Sequence, residues 1–228
     1  TDMNNMFYNN LNFNRDISNK IISYEYDTDS NYYIAWNTSN VTDMNNMFKS
    51  AEVFNQNIGD WETTNVSDMN NMFNGAKLFN QDIGNWNTSN VTDMNNMFNG
   101  AEVFDQDIGN WNTSNVTDIS SMFAHAEKFN QDITEKPLTR AWHLHLVENM
   151  NNTFLNAKKF NQNINNWNTE YVSNFDNMFN GAEDFNQPIG NWYTSHATTM
   201  AGMFNSCKKF NQYIGEKYVT RNYNKGYL

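Results

Sequence analysis

The sequence predicts an α/β repeat solenoid with one short parallel strand and one short helix in every 25-residue repeat. Three observations carry that prediction. The run Trp86 to Asn110, WNTSNVTDMNNMFNGAEVFDQDIGN, recurs along almost the whole chain at a 25-residue period. All seven tryptophans fall in one column: Trp36, Trp61, Trp86, Trp111, Trp142, Trp167 and Trp192. Within each repeat the apolar residues are spaced first as on a helix and then as on a strand. A unit of 25 residues cannot bury its own apolar face, whereas stacked copies build a continuous core. Residues 1–228 are therefore assigned to one solenoid of eight units, the first of them partial.

The helix is expected where Val41, Met44, Phe48 and Ala51 stand at i, i+3, i+7 and i+10, a spacing that places them on one face. Ser39, Asn40 and Thr42 would cap its N-terminus, and Asp43 would complement its dipole. Asn74-Gly75 and Asn99-Gly100 would stop it, because both residue types tolerate the left-handed conformation. All thirteen methionines fall in two columns and sixteen of the seventeen phenylalanines in two others, the exception being Phe175, which stands in a Met column. The strand is expected at Phe54–Ile58, where apolar and polar residues alternate. That alternation points Gln56, Gln81, Gln106, Gln131, Gln162, Gln187 and Gln212 inward. Unpaired buried amides cost roughly 1–3 kcal/mol each, so the glutamines are expected to bond one another as a ladder. A polar ligand track is the less economical reading.

Two inserts interrupt the period in the same register, between the Ile and Trp columns. The first, near 18–35, holds Tyr24, Tyr26, Tyr32 and Tyr33 beside acidic residues. It reads equally as a cap over the end of the solenoid and as a binding loop. The second, 134–141, contains Lys136, Pro137 and Arg140. Four rungs of about 4.8 Å separate the two roots by roughly 19 Å, within reach of a single partner. The strand column Asn57, Asp82, Asp107, Asp132, Asn163, Pro188 and Tyr213 supplies the exposed face between them. Residues 215–228 lose the Trp and read as a C-terminal cap or as the root of a further segment.

The charge of −11 argues against nucleic-acid backbones as partners, since these require basic surface. No run is long enough to span a bilayer. The chain opens inside a repeat, so the absence of an export signal decides nothing. His143 and His145 flank Leu144 without the Cys or carboxylate partners of a metal motif and read as a solvated pair. Cys207 occupies the Ala column and reads as a small buried hydrophobe. The carboxylate column Asp43, Asp68, Asp93 and Asp118 is assigned to capping in preference to calcium, because the glycine-rich nonapeptide of calcium-binding rolls is absent. Asn-x-Ser/Thr triplets at Asn37, Asn40, Asn65, Asn87, Asn90, Asn112, Asn115 and Asn151 are glycan sites only if the chain is made in a eukaryotic secretory route. No catalytic motif occurs, so a non-enzymatic chain with no cofactor and no metal is expected.

The run W-N-T-S-N-V-T-D-M-N-N-M-F-N-G-A followed by F-N-Q-D-I-G-N-W resembles the BspA-like leucine-rich-repeat surface proteins, which include mycoplasma and listeria lipoproteins. The resemblance covers all of the chain except the inserts and tail. It implies a leucine-rich-repeat-like right-handed coil and extracellular display, with a lipid or wall anchor outside this sequence. It also implies a role in adhesion to a protein or glycan on a host or neighbouring surface. The alternative is a structural spacer or surface coat that self-associates; related repeats also occur in protists and large viruses, which adds a virion surface to the expected locations. Phe-Asn-Gln stands where such repeats usually carry leucines, and no single ligand motif can be carried over.

Overall fold

A computed structural model describes residues 2–23, 32–136, 138–139 and 141–215; the side chains of 21–23 and 32–35 lie outside that description. It overturns the expected α/β architecture. Among the described residues there is no helix, and the only strands are β1 (Lys20–Ser23) and β2 (Tyr32–Ala35). These two pair antiparallel, Lys20 with Ala35 and Ser23 with Tyr32, inside the first insert. The repeats themselves are built from turns.

The correction has a backbone cause. Between Met44 and Ala51 the amides alternate in destination. Met44, Asn46, Phe48 and Ser50 donate to the carbonyls of Asp68, Asn70, Met72 and Asn74 in the next repeat. Met47, Lys49 and Ala51 donate three residues back within their own repeat. A helix would send every amide four residues back and leave none for the neighbour. Asn46 and Ser50 take positive φ (54° and 61°), as do Asn71 and Gly75, then Asn96 and Gly100. A left-handed residue every fourth position excludes a helix and suits Asn and Gly. Asp43 therefore caps a turn and not a helix: its Oδ1 accepts the amide of Asn45 at 2.8 Å. The parallel bridges form on this column, linking Asp43, Asp68, Asp93, Asp118, Asn149, Asn174 and Thr199 in series.

The strand expected at Phe54–Ile58 is absent because side chains replace carbonyls as acceptors there. Asn55 Oδ1 accepts both the amide of Asn80 (2.9 Å) and Nε2 of Gln81 (2.9 Å) in the following repeat. The same pair of bonds joins Asn14 to Asn55 and Gln56, Asn80 to Asp105 and Gln106, and Asp105 to Asn130 and Gln131. It continues from Asn130 to Asn161 and Gln162, from Asn161 to Asn186 and Gln187, and from Asn186 to Asn211 and Gln212. The glutamines thus bond the Asn column, not each other, and are half-buried.

Inside, one continuous cluster of buried side chains runs from Ile17 to Met203. Phe48 and Phe54 stack at 4.0 Å within their repeat, and Phe48 meets Phe73 of the next at 5.6 Å. Each buried Trp satisfies its indole N–H on the Ile carbonyl of the preceding repeat: Trp61 on Ile17, Trp86 on Ile58, Trp111 on Ile83, Trp142 on Ile108, Trp167 on Ile133 and Trp192 on Ile164. Trp36 is half-buried, against Phe7. A Thr column, not singled out from the sequence, ties the turn after each Trp to the next repeat: Thr63 Oγ1 donates to Asn87 O and Thr88 Oγ1 to Asn112 O. Lys77–Glu52, Lys158–Glu127, Lys159–Asp184, Lys208–Glu183 and Lys209–Asp184 pair across repeats on the surface. Such exposed pairs contribute at most about 1 kcal/mol each.

Stacking also sets like charges together. Burial, reinforced by Asp68 below and Asp118 above, raises the carboxyl pKa of Asp93. The folded state therefore holds this proton more firmly than the unfolded chain, so stability falls as pH rises through the raised pKa and the penalty is complete at neutral pH. Asp93→Asn keeps the turn-capping oxygen, as Asn174 does for the amide of Asp176 at 2.9 Å. Its expected effect is a gain of about 0.2–1 kcal/mol at pH 7 that shrinks toward pH 3. Thermal melts of the two proteins across that pH range check it, and a gain that is independent of pH would refute the carboxylate account.

Candidate recognition surface

Both inserts leave the stack directly after an Ile whose carbonyl is held by a tryptophan, Ile17 by Trp61 and Ile133 by Trp167. In the first insert β1 and β2 form a hairpin. The backbones of Tyr32 and Tyr33 lie in β2, and Tyr24 and Tyr26 lie outside the described residues.

The second insert closes on itself. Lys136 N donates to Ala141 O at 2.9 Å and Thr139 N to Lys136 O at 3.0 Å, while Ala141 also bridges Asn112. Leu138 stands at its tip, fully exposed. Lys136, expected as a contact residue, is turned onto the stack: its ammonium donates to Gly109 O at 2.9 Å. The Thr134 amide, with its hydroxyl and then the Lys136 charge behind it, holds the carboxyl of Asp132 below the usual carboxylate range. Arg140 lies outside the described residues. Leu138 was not singled out from the sequence, since a lone leucine among turn residues carries no periodic signal.

The rest of the expected face is placed as follows. Asp82, Asp107 and Asp132 are exposed, and Oδ1 of each caps the turn after the Ile column, on Gly84, Gly109 and Thr134 respectively. That leaves the second carboxylate oxygen of each for a partner. Tyr213 is exposed in the last repeat.

At the base of the second insert His143 and His145 lie with ring centroids 4.4 Å apart, and His143 Nε2 sits 3.4 Å from Glu135 Oε1. The pair is half-buried, not solvated as expected from sequence. Among the described residues no group of three or more His, Cys, Asp or Glu side chains converges as a metal set. Cys207 donates to Ala182 O at 3.1 Å, and burial pushes its thiol up to about 11, so it stays protonated at neutral pH. Asn65, Asn90 and Asn115 spend their amide nitrogens on carbonyls of the preceding repeat. No helix among the described residues is long and apolar enough to cross a membrane.

The repeats match the family described as Mycoplasma protein of unknown function, DUF285, over residues 1–35, 24–136 and 134–226. Those segments cover nearly all of the chain. The chain belongs to this family. No curated protein and no solved structure matches it. The finding supports a mycoplasma-type repeat family; it does not reach the narrower likeness to BspA-like leucine-rich repeats, and the helix-free turns depart from the fold that likeness implied.

Proposed function

We propose that this family member is a non-catalytic, surface-displayed repeat protein of BspA-like character that recognises a protein or glycan on a host or neighbouring surface. The observation that supports this reading most is the second insert: a closed loop rooted on buried Trp–Ile contacts that carries a fully exposed Leu138. Rigid repeats with a loop pinned at its base present contact residues at low entropic cost. On this reading the chain sits outside the cell, on a lipid or wall anchor supplied elsewhere, with no nucleic-acid partner and no cofactor.

A spacer or surface coat, on a cell or a virion, is the second reading. One observation favours it: every repeat bonds its neighbours in the same pattern, Met44, Asn46, Phe48 and Ser50 donating to carbonyls of the next repeat while Ser67, Thr92 and Thr117 donate to Thr42, Ser67 and Thr92 of the preceding one. Opposite faces of any such repeat are therefore complementary, the condition for head-to-tail addition of copies.

A single experiment separates the two. The chain and a variant with both inserts, 18–35 and 134–141, shortened to repeat length are screened against glycans and extracellular proteins. Both are also run by sedimentation velocity over a range of concentrations. Recognition predicts a ligand bound by the chain and weakened at least tenfold, about 1.4 kcal/mol, in the variant. Binding retained in the variant moves the site off the inserts. No binding, with sedimentation that rises with concentration, replaces the recognition reading by the coat.

A further inference from the structure

We propose that the cleft between the sixth and seventh Trp repeats binds a neutral saccharide. The inference rests on the recognition reading and names one ligand class for it. The cleft has a volume of about 280 Å3, and Asn165, Asn166, Trp167, Asn168, Glu170, Asn191 and Tyr193 line it. At about 30 Å3 per water it displaces roughly nine waters, the space of one or two sugar rings.

The lining is where the chain departs from its own repeat. Asn165 stands in the column of Gly59, Gly84 and Gly109. Glu170 stands in that of Ser39, Thr64, Ser89 and Ser114, and Tyr193 in that of Asn37, Asn87 and Asn112. Each departure adds a side chain to the same hollow.

The polar groups are held with one end committed and the other presented. Asn165 Oδ1 accepts the amide of Asn191 at 3.0 Å, and Asn168 Oδ1 accepts the amide of Glu170 at 3.0 Å. Among the described residues neither side-chain NH2 group has a hydrogen-bond partner and the Glu170 carboxylate forms no ion pair. Two amide donors beside one carboxylate acceptor match adjacent hydroxyls, each of which both donates and accepts. The Tyr193 backbone is fixed by the Thr169 hydroxyl, its amide donating to Oγ1 at 2.8 Å, and the side chain is 42% exposed. An exposed aromatic on a fixed backbone supplies a flat apolar platform with a polar tip, suited to the C–H face of a sugar ring.

No Lys or Arg lines the cleft, so a phosphate or sulfate would enter beside Glu170 uncompensated. One carboxylate alone does not make a cation site. The rim is continuous with the second insert: Asn166 donates to Glu135 O at 2.9 Å and accepts its amide at 3.4 Å.

The test is saturation-transfer NMR and calorimetric titration of the whole chain with lactose, cellobiose and N,N′-diacetylchitobiose, with a sulfated heparin disaccharide as the charged control. At least one neutral disaccharide is expected to bind, and Tyr193→Ala to weaken it about tenfold or more. Glu170→Gln weakens it less, while Tyr171→Ala, which removes an exposed ring stacked on His196 outside the lining, leaves it unchanged. A thermal melt of the Tyr193→Ala protein beside the parent keeps loss of binding distinct from loss of folding, and titrations are run where both are folded. Silence from every neutral disaccharide, equal affinity in Tyr193→Ala, or tighter binding of the sulfated control each overturns the proposal. A protein ligand lost on insert shortening, with no sugar bound, would sink the cleft and leave the recognition reading standing.

Discussion

Trp111→Ala is expected to lower the unfolding free energy by about 3–5 kcal/mol. The indole is 1% exposed, lies parallel to Trp86 at 6.4 Å and stacks on Phe98 at 6.1 Å. Neighbouring repeats are held at fixed spacing by the backbone bonds of the turn run, so they cannot collapse into the space. The cavity term therefore adds to the transfer term. Trp111 also donates its Nε1 hydrogen to Ile83 O at 3.1 Å, which Trp111→Phe would remove while keeping a ring. That variant should cost less than the alanine one, about 0.5–1.5 kcal/mol for the lost hydrogen bond, because Ile83 O keeps the backbone amide of Trp86 at 3.1 Å. Urea titration followed by circular dichroism reads both. A cost below about 1 kcal/mol for the alanine variant would mean that the stack is not closed around this column. Trp36→Ala provides the internal scale: this ring is only half-buried against Phe7, and its loss should cost less than that of Trp111.

How much was legible in the sequence differs by level. The 25-residue period and its apolar columns are visible because Met44, Phe48, Phe54, Ile58 and Trp61 face one interior, and each copy needs the same shape there. What the columns do not specify is the backbone that carries them. A spacing of i, i+3, i+7, i+10 belongs to a helix, but a run of turns every three to four residues produces it as well. The deciding residues were in view: Asn46, Asn71 and Asn96 fall mid-run, where a helix tolerates them poorly and a left-handed turn prefers them. The missing strand has a similar origin. Alternation around Asn55 looks like a sheet, but the amides there bond a side-chain oxygen one repeat away, and composition alone does not distinguish an Asn that faces solvent from one that stands in for a carbonyl. At the surface, insert positions were readable from breaks in the period. The inward turn of Lys136 and the exposure of Leu138 depend on tertiary contacts that no local pattern encodes. The cleft beside Tyr193 left a faint trace, the departure of Asn165, Glu170 and Tyr193 from their own columns.

Asn80→Ala should destabilise the protein by about 1–3 kcal/mol, more than a half-exposed polar residue ordinarily does. Its Oδ1 is the shared acceptor for the amide of Asp105 at 2.9 Å and for Nε2 of Gln106 at 3.0 Å. Truncation to Ala removes the acceptor of two donors at once, one of them backbone; the glutamine amide has an alternative in the backbone carbonyl of the column, which Gln131 Nε2 reaches on Asp105 O at 3.0 Å, so the stranded Asp105 amide carries the larger share of the loss. Water reaches the half-buried amide and recovers part of the loss, which holds the figure below twice the single-bond penalty. Asn80→Asp separates the acceptor from the amide. The carboxylate retains Oδ1 in the same place, and the chain already uses this solution one repeat on, where Asp105 Oδ1 accepts Asn130 N and Gln131 Nε2, both at 2.9 Å. Asn80→Asp is therefore expected to lose no more than the roughly 0.2–1 kcal/mol of stacking its charge on Asp105, and measurably less than Asn80→Ala. Urea denaturation of the two variants decides the matter. Equal losses would assign the column to its side-chain NH2 group and overturn the shared-acceptor account. A large loss for Ala alone would show that one oxygen per repeat does the work a strand's carbonyl does in a sheet, which is how this stack holds together along Phe54–Ile58 without a strand.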